Sequence, residues 1–233
     1  MKINRNEPMP SHTKWKMDEC FAKVILENLF PKRYSDLKLA DKPDLRDVKR
    51  CVGIEVTSSI PQKERELSRL WSQTVCMEEG QKKTRNIERM EQLDMHYTGG
   101  AQVWPAKTYR TDVIGEGPSG DFLTAVDEKM KKLNGGQYEK QSRYDLFVHS
   151  EIFVWPDQLG VWMQRLMEEL LDRNQQPRRY VYVYLLGKCA LHIWNLEDKS
   201  FAVIPKDKDF WKYEWTAREL VIEREEREED EQT

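Results

Sequence analysis

The sequence has 233 residues, of which 39% are hydrophobic and 34% charged, enough for one domain with a sizeable core and extra surface elements. No run approaches the roughly 18 apolar residues of a membrane span, and residues 1–10 lack the apolar centre of a secretory signal, so we expect a soluble, cytoplasmic protein with no membrane partner. The formal net charge of −3 argues against a protein whose whole surface binds nucleic acid, although it is compatible with a local basic cleft.

The first part of the chain predicts a helix followed by two strands. Residues 13–30 carry apolar side chains at helical spacing on two faces and stop at Pro31, which favours a well-buried helix. Residues 37–45 and 50–58 are strand candidates joined by a polar turn around residues 46–49. The second of these strands is apolar enough to be central in a sheet.

The rest of the chain predicts helices alternating with strands. A helix follows Pro61, and the weak pattern of residues 77–120 indicates an insertion or flap. The later elements are a lysine-rich helix at 121–133, a buried strand in "YDLFVHSEIFVW", a helix at 156–173, three strands in "RRYVYVYLLG", "CALHIWNL" and "SFAVIP", and a C-terminal helix with an acidic tail at 210–233. We therefore predict a single α/β domain over residues 1–233, with its core motifs at 13–73 and its sheet completed at 121–205.

Two acidic residues in the predicted strands suggest a metal site. Neighbouring strands lie about 4.8 Å apart, so Asp44 and Glu55 converge if their register agrees. Glu55 stands between apolar residues in the central strand, where a charged side chain is costly unless something binds it. Mg²⁺ prefers such oxygen ligands, and sites that cleave phosphodiesters offer two or three carboxylates. A plain β-hairpin with Asp44 capping a turn is the alternative.

The pattern "PDL", followed eleven residues after its Asp by the Glu of "GIEVT", resembles the PD-(D/E)XK nuclease superfamily. The similarity covers residues 13 to about 73 by motif and extends by element order to the strand at 144–150. It implies a restriction-endonuclease-like fold, in which helices flank a mixed central sheet.

Position by position, the resemblance implies a divalent cation, Mg²⁺ or Mn²⁺, held by Asp44 and Glu55. The backbone carbonyl of Val56 is implied as a third oxygen ligand. Glu19, on the first predicted helix, matches the auxiliary carboxylate that many members carry. These residues are the predicted catalytic and metal-binding set.

The sequence departs from the family pattern at Thr57, where a lysine usually orients the attacking water and offsets developing charge. A threonine hydroxyl can contact substrate but brings no positive charge. Lys63 on the following predicted helix is the candidate replacement, with Gln62 as a polar contributor. Lys129, on the lysine-rich helix, is a candidate contact to substrate phosphate.

The predicted function is metal-dependent hydrolysis of nucleic acid, with DNA favoured over RNA. The alternative is a catalytically inactive nuclease-like interaction module, such as a component of a mobile element or defence system, which keeps the fold without the chemistry. A homodimer or a protein partner is compatible with either function.

Overall fold

The computed structural model describes residues 16–75, 80–93, 117–136 and 138–230. The described helices are α1 (Met17–Leu29), α2 (Gln62–Val75), α3 (Gln81–Gln92), α4 (Gly117–Asn134), α5 (Leu159–Arg173) and α6 (Lys208–Asp230). The described strands are β1 (Leu37–Leu39), β2 (Leu45–Asp47), β3 (Val52–Ser58), β4 (Arg143–His149), β5 (Tyr180–Leu186), β6 (Ala190–Asn195) and β7 (Ser200–Pro205). The chain divides into two compact units, of which one contains α2 and α3 and the other contains the remaining elements.

The larger unit is built on a mixed sheet of seven strands in the order β1-β2-β3-β4-β5-β6-β7. The central pairs β3–β4 and β4–β5 are parallel, and the outer pairs are antiparallel. Parallel neighbours need a long crossover, which α4 and α5 provide before β4 and β5 respectively. This arrangement confirms the prediction of an α/β protein with a mixed sheet flanked by helices.

Helices cover both faces of this sheet. One face packs with α4 and α5 in an apolar cluster that includes Leu146 of β4, Val126 and Leu166. The other face packs with α1 and α6 in a second cluster that includes Ile54 of β3 and Phe210. Because side chains alternate along a strand, Glu55 points toward the face covered by α4 and α5, and its neighbours Ile54 and Val56 point toward α1.

The two apolar faces of α1 are explained by its position. Ala22, Ile25 and Leu26 are fully buried in the cluster on the sheet, and α6 packs against α1 in the same unit. A helix with neighbours on two sides needs apolar residues on both. The helix ends at Leu29, ahead of Pro31, which agrees with the predicted end.

The predicted strand over residues 37–45 is wrong, because the structure contains two short strands in this region. β1 ends at Leu39 and β2 begins at Leu45, and Pro43 lies in the bend between them. Proline has no backbone N–H and cannot take a ladder position in a continuous strand. The residues predicted as a turn at 46–49 therefore begin inside β2, and Asp44 stands before a strand instead of at the end of one.

Close packing at this bend requires a glycine in β3. A Cβ atom on Gly53 would lie 2.6 Å from Pro43 Cγ and 3.1 Å from Gln141 Cγ. We expect Gly53→Ala to lower the free energy of unfolding by about 1–3 kcal/mol, because the bend must shift to relieve the overlap. Chemical denaturation measures this loss.

Gly160 provides the matched control for that substitution. It lies in the first turn of α5, and no atom lies within 4 Å of the position that its Cβ would occupy. Gly160→Ala is expected to raise stability by about 0.5–1 kcal/mol. Equal effects of the two substitutions would contradict the packing explanation.

The smaller unit contains two helices that share an apolar contact. Leu70 of α2 and Met90 of α3 are buried together, and an ion pair joins Arg89 to Glu66 at 2.8 Å. The insertion predicted for residues 77–120 contains α3 and the start of α4, and its residues 77–79 and 94–116 fall outside the described residues. Among the described helices, none combines the length and the apolar character needed to cross a membrane.

Candidate functional site

Asp44 is held at the start of β2 by the backbone of β3. The N–H of Val56 donates a hydrogen bond to Asp44 Oδ2 over 2.7 Å. The last ladder pair of β2 toward this end joins Leu45 to Ile54, so Val56 has no strand partner on that side. The side chain of Asp44 therefore takes the place of a missing strand residue, which fixes its orientation.

Glu55 lies in the middle of β3 and is almost completely buried, with a side chain that is 1% exposed. It pairs in register with Leu146 of β4, on the sheet face that α4 covers. A carboxylate in such a position requires a compensating charge or hydrogen bonds. The structure supplies that compensation from α4.

Lys129 of α4 joins the two acids. Its Nζ lies 2.6 Å from Glu55 Oε2 and 3.2 Å from Asp44 Oδ2, and its side chain is 14% exposed. Because a single nitrogen contacts both carboxylates, Asp44 and Glu55 face the same point in space. The convergence on which the predicted metal site depends is therefore present, and a cationic group lies between the acids.

The charges of these three groups are coupled. Burial raises the pKa of Glu55, and the negative charge of Asp44 raises it further, whereas Lys129 opposes the rise. Burial alone would lower the pKa of Lys129, but the charges of Glu55 and Asp44 outweigh it and raise the pKa. The ammonium group is therefore charged at neutral pH and favours the ionised form of Glu55.

Two tyrosines lie beside Glu55. Burial and the charge of Glu55 raise the pKa of the Tyr138 hydroxyl, and Tyr138 in turn opposes the rise in the pKa of Glu55. Burial, followed by the charge of Glu55, also raises the pKa of Tyr180. Both hydroxyls are therefore uncharged at neutral pH and are polar neighbours of the Glu55 carboxylate.

Glu19 lies near the two acids but does not join them. Its carboxylate accepts a hydrogen bond from Lys16 over 2.7 Å. Burial raises the pKa of Glu19, Lys16 lowers it, and the charge of Asp44 raises it again. In the part of the chain that the structure describes, no three His, Cys, Asp or Glu residues form a metal-binding group. Glu19 therefore influences the site through charge.

The remaining predicted site residues are Thr57, Gln62 and Lys63. Thr57 stands two residues after Glu55 on β3, on the same sheet face, and is partly exposed. Gln62 and Lys63 begin α2, which belongs to the smaller unit. The roles predicted for these three residues stay predictions.

The oxygen atoms at Asp44 and Glu55 fit a divalent cation. Glu55 Oε1 is buried and has no hydrogen-bond partner among the described residues, so one ligand position is available. In a strand, the N–H and the C=O of one residue point to the same side. The Val56 carbonyl therefore points to the side from which its N–H reaches Asp44. Two carboxylates and this carbonyl are the hard donors that Mg²⁺ and Mn²⁺ prefer.

Sequence reasoning proposed Lys129 only as a phosphate contact and did not identify Tyr138. A signal for Lys129 was present, since it continues the buried stripe of Phe122, Val126 and Leu133 at intervals of three and four residues. A lysine within an apolar stripe needs a buried partner. Tyr138 lies in the connection between α4 and β4, where no periodic pattern could have indicated its position.

Comparisons with protein-family models, curated proteins and solved structures find no match to this chain.

Proposed function

We propose that this chain is a nuclease that requires Mg²⁺ or Mn²⁺ and hydrolyses phosphodiester bonds at Asp44, Glu55 and Lys129. One observation carries the proposal: the Lys129 ammonium contacts both carboxylates, at 2.6 and 3.2 Å. In chain order, Asp44 and the Glu55-bearing strand β3 also follow one helix and precede another, as the resemblance to the PD-(D/E)XK superfamily implies. Nucleic acid is the proposed substrate, and DNA is favoured over RNA.

Asp44 and Glu55 bind the cation in this proposal, and the Val56 carbonyl is the third protein ligand. The cation, when bound, supplies positive charge that stabilises the developing charge on the scissile phosphate. The Val56 N–H keeps Asp44 in a fixed orientation, so the site is organised before substrate arrives. Glu19 adds negative charge nearby, and Thr57 is placed to contact substrate from the same sheet face.

Lys129 takes the role of the family's usual lysine, because Thr57 occupies the position of that lysine in this sequence. Its ammonium reaches the two carboxylates from α4, so a cationic group is present although β3 does not provide one. With a divalent cation held by Asp44, Glu55 and the Val56 carbonyl, the Lys129 ammonium would be free to contact the attacking water and the phosphate. Water then attacks phosphorus, the P–O bond breaks, and an alcohol and a phosphate monoester are formed.

The proposal is tested by incubating the purified protein with supercoiled plasmid and with single-stranded DNA and RNA, in Mn²⁺ and in EDTA. We expect cleavage in Mn²⁺, no cleavage in EDTA, and none by Asp44→Asn. Cleavage that Asp44→Asn retains in full would place the activity elsewhere. Absence of cleavage on all substrates would contradict the enzymatic proposal.

An inactive interaction module is the second candidate, and a specific contact favours it. Lys129 pairs with both acids without any cation and compensates one of their two negative charges, so the three groups can form a purely structural ion-pair cluster. In that case Mn²⁺ does not stabilise the fold, because a ligand raises stability only when it binds the native state. Thermal unfolding with and without Mn²⁺ distinguishes the two candidates.

Cation binding should depend on pH through Glu55. The raised pKa of this group means that it takes up a proton at higher pH than an ordinary glutamate, and only the ionised form binds the cation. Tyr138 opposes that rise in the pKa of Glu55. Tyr138→Phe should therefore raise the pH below which Mn²⁺ binding weakens. Calorimetric titrations at a series of pH values measure the shift.

Tyr213, a partly exposed residue on α6, is the control for that tyrosine substitution. Tyr213→Phe is expected to leave the pH profile unchanged. A profile that stays in place in Tyr138→Phe, or that moves to lower pH, would contradict the assigned coupling between Tyr138 and Glu55.

A further inference from the structure

A second polar cluster lies on the face of the sheet opposite Glu55. Its centre is Asp145 of β4, which is fully buried and pairs in register with Ile54. The Tyr34 hydroxyl donates to Asp145 Oδ2 over 2.7 Å, and the Tyr182 N–H donates to Oδ1 over 3.0 Å. Arg143 Nε adds a hydrogen bond of 3.0 Å. Asp145 is thus well satisfied, and it neutralises one guanidinium group.

A second guanidinium group, that of Arg33, lies in the same cluster. Its Cζ is 3.8 Å from the centre of the Tyr182 ring, and the Cζ of Arg143 is 5.5 Å from the same centre. Arg33 Nη1 donates to the Tyr184 hydroxyl over 2.8 Å. Since a hydroxyl has one proton, Tyr184 donates to Tyr34, and Tyr34 donates to Asp145. Arg33 therefore reaches the carboxylate only through two hydroxyls.

The charges of the cluster do not balance. In the described part of the chain, Arg143 pairs with Asp145 and nearby Arg50 pairs with buried Asp47, but the guanidinium of Arg33 contacts no carboxylate. Arg143 Nη2 is also buried without a hydrogen-bond partner among the described residues. The cluster thus has one excess positive charge and more donors than acceptors. An unpaired buried donor in a native structure calls for a specific explanation, such as a bound ion.

The cluster is accessible from solvent at the two arginines. The Arg143 side chain is 25% exposed, and Arg33 and Tyr182 are partly exposed, although Asp145 beneath them is fully buried. The Tyr182 ring and the Tyr184 hydroxyl keep the Arg33 guanidinium in a fixed orientation. A guanidinium that is already ordered loses little freedom on binding an anion, and its planar fork matches phosphate oxygens.

We propose that Arg33 and Arg143 form a binding site for a phosphate group, as inorganic phosphate or as the phosphate of a mononucleotide. The site lies on the opposite sheet face from Asp44, Glu55 and Lys129, and it does not rest on the nuclease proposal. The bound phosphate is the negatively charged partner of the Arg33 guanidinium. Tyr182 and Tyr184 position the donors, and Asp145 keeps Arg143 in place.

The test is isothermal titration of the full chain with sodium phosphate and, separately, with adenosine 5′-monophosphate, with sodium chloride at equal ionic strength as the reference. EDTA is present throughout, so that a cation at the other site cannot mediate binding. We expect saturable binding of at least one phosphate compound and none of chloride. Binding of phosphate alone identifies the free ion as the ligand, and binding of the nucleotide assigns the site to a phosphate monoester.

Arg33→Gln is the diagnostic substitution, because Arg33 has one side-chain hydrogen bond in the described structure and Asp145 keeps all of its partners. We expect the dissociation constant of the Arg33→Gln variant for the phosphate compound to rise by about 10- to 100-fold, which is the effect of losing a hydrogen bond to a charged group. Arg165→Gln, an exposed arginine of α5, is expected to bind as the wild type does.

Three results would overturn the site. One is the absence of saturable binding to the wild-type chain for both phosphate compounds, a measurement that requires no variant to fold. Another is unchanged affinity for phosphate in folded Arg33→Gln. If Arg33→Gln does not fold, Arg33→Lys is measured, which keeps the charge without the planar fork. Binding by Arg33→Lys as tight as that of the wild type would also overturn the site.

Discussion

Replacement of Glu55 by Gln is expected to lower the single-turnover rate of Mn²⁺-dependent cleavage by more than about 100-fold, a typical loss when a preorganised electrostatic group is removed. Gln preserves the size of the side chain and removes the charge. The site then retains one carboxylate, so the dissociation constant for Mn²⁺ should rise as well. Cleavage of an end-labelled duplex and calorimetric Mn²⁺ titration measure the two effects.

Glu197→Gln is the matched control for this substitution. Glu197 is exposed in the turn between β6 and β7, and its backbone N–H donates a hydrogen bond to Asn195 Oδ1. This variant should cleave and bind Mn²⁺ as the wild type does. If Glu55→Gln retains both properties at the wild-type level, the assignment of Glu55 to the cation site is wrong.

Lys129→Met should separate cation binding from cleavage. The ammonium group competes with a divalent cation for the same two carboxylates, so its removal is expected to leave Mn²⁺ affinity unchanged or higher. Cleavage should fall by about 100- to 1,000-fold, because no other described group contacts both acids with positive charge. A loss of cleavage together with intact Mn²⁺ binding distinguishes this role from a merely structural one.

The same substitution affects stability in a way that Mn²⁺ reverses. Removing one member of a buried ion pair leaves uncompensated charge, and we expect Lys129→Met to lower the free energy of unfolding by about 3 kcal/mol without metal. Saturating Mn²⁺ should restore most of that loss. Lys32→Met, which changes an exposed lysine in the turn after α1, should show neither effect. Destabilisation that Mn²⁺ does not reverse would argue for a structural cluster.

Much of the larger unit could be predicted from periodicity. The helical spacing in α1 and the apolar runs in β3, β5 and β6 reflect burial, which the sequence records directly, and the turn between β6 and β7 marks the start of the exposed edge strand. The break between β1 and β2 was missed. The sequence signal there was Pro43, which removes a ladder hydrogen bond, and it was outweighed by the apolar residues on both sides.

The two acids of the site could be predicted from the sequence. The role of Lys129 as the cationic group between them could not. Asp44 and Glu55 are close in sequence and belong to neighbouring predicted strands, which is enough to suggest the pair. Their register could not be predicted, because the turn predicted at residues 46–49 begins inside β2 and Leu45 pairs with Ile54. Lys129 lies more than seventy residues after Glu55, and it comes to the site only because α4 crosses over the sheet between β3 and β4. That crossover depends on tertiary packing, which no local pattern specifies.

The most direct test of the central claim is the location of Mn²⁺ in crystals of the protein, read from its anomalous scattering. We predict one strong peak between the carboxylates of Asp44 and Glu55, within bonding distance of the Val56 carbonyl, with the Lys129 ammonium displaced from its present position. If saturating Mn²⁺ gives no peak there and Lys129 keeps both ion pairs, these three residues form a structural cluster and the proposed nuclease site is wrong.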